Sequence, residues 1–119
     1  MEKTILVDDN FPSVRISKLP GYIGRKVKVS GWIYNLRSKG KIYFIQLRDG
    51  SGRIQSVAVE GECNVTSFQI LPTLKIEASL IVTGEVRADL RAPNGVELAI
   101  RAIKVHQNPE TDYPIAKKE

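Results

Sequence analysis

A single cysteine, Cys63, leaves no internal disulfide to be made, and a single histidine, His106, leaves no cluster with metal-ligand spacing. Disulfide-stapled and zinc-built scaffolds are therefore excluded. Long apolar runs are missing as well: no stretch approaches the ~20 residues that cross a bilayer. The opening MEKTILVDDN lacks the basic-then-apolar order of a secretion signal, so the chain reads as cytosolic, with no membrane partner. Without such a signal, the glycosylation pattern Asn64-Val65-Thr66 reads as a chance match. No grouping of nucleophile, base and orienting residue is visible either, which leaves no catalytic residue to name. What remains, 119 residues of which 42% are hydrophobic, is enough for one domain around one core.

Acidic residues are scarce in one place in particular. From Arg25 to Arg53 there are eight basic residues (Arg25, Lys26, Lys28, Arg37, Lys39, Lys41, Arg48, Arg53) against one acid, Asp49. The net charge of +5 is thus concentrated in that segment. A local basic field is the electrostatic footprint of a polyanion binder, although a solvated strand face also tolerates lysines.

The same segment carries the clearest periodicity. KVKVSGWIYNLR (26–37), IYFIQLRD (42–49) and RIQSVAVE (53–60) alternate with β-branched and aromatic residues, which predicts three strands. Ser38-Lys39-Gly40-Lys41 reads as a short loop, and Gly50-Ser51-Gly52 as a tight turn calling for positive φ, so the three form a meander. Residues 64–74 lose the alternation and suit a short helix capped by Asn64 or Thr66 and ended near Pro72. Two further strands, 76–89 and 96–107, flank the turn-forming loop Leu90–Gly95. Three strands, a helix and a two-stranded hairpin is the element order of an all-β, five-stranded Greek-key barrel of the OB type, with the short helix between strands 3 and 4. Gly31 suits the bend such a barrel needs, but a bulge there would exchange the faces of strand 1. Residues 1–24 read as an irregular lead-in containing a turn of helix or an added edge strand, 25–107 as the barrel, and 108–119 as a linker.

Strand 2 points to a binding face. Alternation assigns Tyr43, Ile45 and Leu47 to the core and leaves Ile42, Phe44, Gln46 and Arg48 outside. An outward phenylalanine beside Gln46 and Arg48 suits a nucleobase, because base stacking contributes ~1–3 kcal/mol and flanking cations neutralise phosphates. The competing reading packs Phe44 under a loop or the 64–74 helix. Gln55, one strand over, carries the donor and acceptor needed at a base edge. Arg37, Lys39 and Lys41 lie close enough to converge on the same nucleotide, and Arg87, Arg91 and Asn94 belong to the second hairpin. Trp32 and Tyr34 read as packing residues.

The run V-x-V-x-G-W-I-x-x-x-R-S-K-G-K-I-x-F-x-x-L-R-D-G-S-G-x-I-Q from Val27 to Gln55 resembles the N-terminal anticodon-binding domain of class II aspartyl- and asparaginyl-tRNA synthetases. The likeness continues through VTGEVR (82–87), RAPNGVEL (91–98) and the tail YPIAKKE (113–119), covering about residues 25–119. The RSKGK loop, the RAPNG hairpin and the YPI tail look closer to the asparaginyl than to the aspartyl enzymes. The resemblance implies that Phe44 stacks on the central uridine of the anticodon, that Gln55 reads it and that Arg37 contacts the anticodon. Arg87 carries a weaker claim on an outer base. Where the family often has a further arginine, this chain has Asn35, which puts one contact in doubt. The family's class II motifs are absent from these 119 residues, so ATP and Mg²⁺ are expected only with a catalytic domain outside them. The implied partners are an asparagine tRNA and that catalytic domain, with family enzymes resembling homodimers. Two other readings stay open: a free-standing OB protein for single-stranded nucleic acid, and a protein-interaction barrel.

Overall fold

A computed structural model describes residues 11–109. Its strands are β1 (Lys26–Lys39), β2 (Ile42–Asp49), β3 (Gly52–Val59), β4 (Ser79–Ala88) and β5 (Val96–Gln107), and a six-residue helix, α1 (Val65–Ile70), lies between β3 and β4. The strands close into a barrel in the order β1-β2-β3-β5-β4. All pairs are antiparallel except the closing one, where Ser56 and Val57 of β3 run parallel to Leu98 and Ala99 of β5. This is the expected five-stranded OB barrel. Among the described residues no helix is long and apolar enough to cross a membrane.

Alternating apolar positions fill the interior. Val27, Val29 and Ile33 of β1, Ile45 and Leu47 of β2 and Leu98 and Ile100 of β5 are essentially inaccessible to solvent. Burying each such side chain stabilises the fold by roughly 1.5–3 kcal/mol relative to leaving it exposed. Tyr43, assigned to this set from sequence, reaches the core only partly; its ring stands edge-on to Phe68 of α1, with centroids 5.6 Å apart. Asn64 caps α1 by accepting from the Ser67 amide at 3.0 Å. Below it the buried Ser67 hydroxyl accepts from the Ile103 amide at 2.8 Å and so ties the helix to β5. Burial pushes the neighbouring Cys63 thiol up to about 11, against a small opposing pull from Arg101.

Several local expectations are corrected. Ser38 and Lys39 belong to β1, and the turn is the two-residue Gly40-Lys41, with Gly40 at φ +59. Neither Gly50 nor Gly52 takes a positive φ. Their turn is held by the Asp49 carboxylate, which accepts from the Ser51 amide and hydroxyl, each at 2.7 Å, and from the Gly52 amide at 3.1 Å. β4 starts at Ser79 rather than Ile76, after a turn in which Glu77 adopts φ 74. Gly31 keeps the strand regular; a Cβ there would come within 2.7 Å of the Arg48 carbonyl oxygen, so glycine serves close strand approach. The irregularity lies instead between Ile33 and Asn35, at Tyr34.

The lead-in is part of the barrel's packing. A 3-10 helix over Ile16–Tyr22 buries Ile16 and Leu19 completely, and the Val14 amide donates to the Lys28 carbonyl at 2.9 Å. Residues 1–10 and the tail with its YPI sequence lie outside the described residues.

Candidate nucleic-acid interface

The outer face of β1–β3 is built in rows by strand pairing. Arg37, Phe44 and Val57 form one row, Asn35, Gln46 and Gln55 the next, and Trp32, Arg48 and Arg53 the third. Register partners point to the same side of a sheet, so the pairing itself places Phe44 outward. Phe44 is half-buried and does not join the hydrophobic cluster inside the barrel. The Arg37 guanidinium lies 4.3 Å from the centre of its ring, and that of Arg53 lies 5.1 Å from the ring of Tyr34. Both contacts are of cation–π type. Among the described residues neither arginine has a carboxylate partner.

The middle row opens into a groove of ≈ 960 Å³. Tyr34, Gln46, Arg53 and Gln55 of the strand face line it from one side and Asp89, Arg91, Ala92, Pro93 and Asn94 of the β4–β5 loop from the other, and Ser17, Ser51 and Gly52 line it as well. That loop is internally fixed: the Asp89 amide donates to the Gly95 carbonyl at 2.8 Å, and the Asp89 carboxylate accepts from the Arg91 amide at 3.0 Å. Beneath the groove, burial tends to raise the pKa of Asp49. Hydrogen bonds from the Ile16 amide, the Ser51 hydroxyl and the Ser51 and Gly52 amides outweigh it and hold the carboxyl below the ordinary value. A fixed anion here ties the lead-in to the β2–β3 turn through the Ile16 amide at 3.0 Å.

The structure brings Gln55, Arg91 and Asn94 together in the groove, and sets Phe44 and Arg37 in the adjoining row. Lys39 and Lys41 are exposed at the β1–β2 turn beyond that row. Two other candidates are turned elsewhere. Arg48 donates to both carboxylate oxygens of Glu77, at 3.0 and 3.1 Å, and Arg87 approaches Glu62 at 4.0 Å on the β4 side. Gln46 and Arg53 line the groove although the sequence offers them only as a neighbour of Phe44 and as part of the basic segment; Trp32 and Tyr34 read there as packing residues, whereas Tyr34 lines the groove and Trp32 is 42% exposed. Gln46 shares strand parity with Phe44, so a signal for it was present; the position of Tyr34 depends on the bulge, which no local pattern marks. Among the described residues no three of His, Cys, Asp and Glu group to hold a metal ion.

A closed five-stranded barrel that presents cations, aromatic rings and amides on one strand face, beside a groove lined by its hairpin loop, is an oligonucleotide-binding architecture. The chain belongs to the tRNA anticodon family of OB-fold nucleic acid binding domains, whose model matches residues 27–105. It is 43% identical over 106 residues to the asparagine–tRNA ligase of Thermus thermophilus, covering 89% of this chain and 24% of that protein. The chain thus spans about a quarter of the length of the curated relatives it matches. The crystal structure of asparaginyl-tRNA synthetase from Pyrococcus horikoshii superposes with a TM-score of 0.74 at 32% identity, over 88% of this chain and 25% of that one. An aspartyl tRNA synthetase from Entamoeba histolytica, at 23% identity and covering 90% of this chain and 24% of that one, shares the fold with a TM-score of 0.79.

Proposed function

We propose that this domain binds the anticodon loop of an asparagine tRNA within an asparagine–tRNA ligase, with the central uridine stacked on Phe44 and read by Gln55. The observation that carries the proposal is the pair of adjoining rows in which Arg37 packs on the Phe44 ring at 4.3 Å and Gln55 faces a groove. A ring already flanked by a guanidinium offers a base a stacking surface and brings a cation toward its phosphate. Arg91 and Asn94 would serve a neighbouring nucleotide from the opposite wall, and Lys39, Lys41 and Arg53 the backbone. Arg48 and Arg87 would join only by leaving their glutamates. The relatives at 43% and 32% identity, an asparagine–tRNA ligase and an asparaginyl-tRNA synthetase, support the choice of tRNA. In such a ligase, docking the loop here would position the acceptor end at a catalytic domain, which would hold ATP and Mg²⁺; binding energy at one end then serves reaction at the other.

The test is the affinity for an asparagine anticodon stem-loop compared with the same loop carrying a different central base. Tighter binding of the uridine loop is expected, and equal binding would sink the reading.

A further inference from the structure

We propose that Tyr34 and Gln46 are positioning residues that fix which end of the Gln55 amide faces the groove, so that the site reads a base carbonyl and rejects a base amino group. This rests on the anticodon-loop reading above. Gln46 and Gln55 are direct cross-strand partners. The Gln46 amide nitrogen donates to the Gln55 amide oxygen at 2.8 Å, and the Tyr34 hydroxyl donates to the Gln46 amide oxygen at 3.2 Å. Tyr34 reaches across because the register of β1 shifts between Ile33 and Asn35, and the Arg53 guanidinium packs over its ring.

The chain of donors has a direction. The Tyr34 hydroxyl donates to Gln46, the Gln46 amide nitrogen donates to Gln55, and the oxygen end of Gln55 is thereby held toward Gln46. Among the described residues the Gln55 amide nitrogen makes no hydrogen bond, and the residue lines the groove. An amide in this state offers N–H outward. Uracil presents carbonyl oxygens at positions 2 and 4, whereas cytosine carries an amino group at position 4, and two facing donors leave both unsatisfied. The relay therefore favours uridine over cytidine. The reversed relay, with Gln55 donating to Gln46 and Gln46 to the Tyr34 oxygen, would turn an oxygen outward and favour the amino base.

Two substitutions act on that direction without removing Gln55. Tyr34→Phe keeps the ring under Arg53 but deletes the hydroxyl that orients Gln46. Gln46→Glu supplies only acceptors between Tyr34 and Gln55, so Gln55 must donate inward and present its oxygen. The readout is the ratio of affinities for asparagine anticodon stem-loops with uridine or cytidine at the centre, measured on variants whose melting and circular dichroism match the parent. Wild type should prefer uridine; Tyr34→Phe should lower the ratio by about tenfold, and Gln46→Glu should lower it further, toward cytidine. An unchanged ratio in Gln46→Glu, with the uridine preference intact in wild type, overturns the relay and leaves the anticodon reading standing. A wild type that binds both loops equally overturns the anticodon reading, and the relay with it.

Discussion

The outer face of β1–β3 and the flank made by β4, β5 and the β3–α1 loop both carry arginines, but they surround them differently. On the first, Arg37 and Arg53 lie over the rings of Phe44 and Tyr34 with no carboxylate partner among the described residues. On the second, Arg101 pairs with Glu85 at 3.3 Å and with Glu62 at 3.8 Å, and Arg87 approaches the same Glu62. A guanidinium on an aromatic face keeps its hydrogen-bond donors for a phosphate, whereas one held by carboxylates has already used them. One surface is thus left able to bind an anion, and the other is neutralised within the fold. Arg48 crosses the division: it belongs to the binding face by strand parity and yet is taken by Glu77.

The comparison can be broken most directly at its aromatic centre. Phe44→Ala should cost ~1–3 kcal/mol of anticodon-loop affinity, seen by titration of a labelled stem-loop, while the melting temperature stays close to wild type. Unchanged affinity would remove the stacking role and leave the face with charge alone. A comparable effect, on stability rather than binding, is expected for Asp49→Asn, which weakens a network of hydrogen bonds to a charged acceptor by about 1–3 kcal/mol at neutral pH. Because hydrogen bonding holds the folded Asp49 carboxyl below its ordinary pKa, its contribution is fully present above the unfolded pKa and is lost as pH falls through the folded one. Denaturant melts from pH 7 into the acid range should show a steeper acid decline in wild type than in the variant.

The smallest effect sharpens the contrast between the two sets of arginines. Arg53→Gln should flatten the dependence of log affinity on log salt by about 0.7 for one lost phosphate contact. Arg101→Gln should leave that slope unchanged and lower stability by about 1 kcal/mol, the upper range for solvent-accessible ion pairs, because its pair with Glu85 is partly buried. Equal slopes in the two variants would show that carboxylate pairing does not decide which arginines meet RNA.

How much of this was legible follows the range of the forces involved. Alternation in β2 gave the outward Phe44 and the inward Ile45 and Leu47, because a pleated strand turns successive side chains to opposite faces. The Asn64 cap and the stop near Pro72 were equally local. The lead-in was harder. Its glycines and prolines announce irregularity, but only packing against the strands of the closed barrel gives Ile16 and Leu19 a place to be buried. Similarly, nothing near Arg48 in the sequence indicates Glu77, 29 residues away, and the Tyr34 bulge carries no marker of its own.

The amino-acid sequence by itself determined a basic, five-stranded OB barrel, its short helix, and an outward Phe44 in its second strand, since these depend on periodicity and the local balance of charge, whereas the bulge at Tyr34 sets the face that Arg37 joins. Tertiary structure decided which of those charges remain available and how the amides are oriented. Arg48 and Arg87 are drawn to glutamates, Arg37 and Arg53 lie over rings with no carboxylate partner among the described residues, and Tyr34 reaches Gln46, because each of these outcomes depends on how the strands and loops meet when the barrel closes.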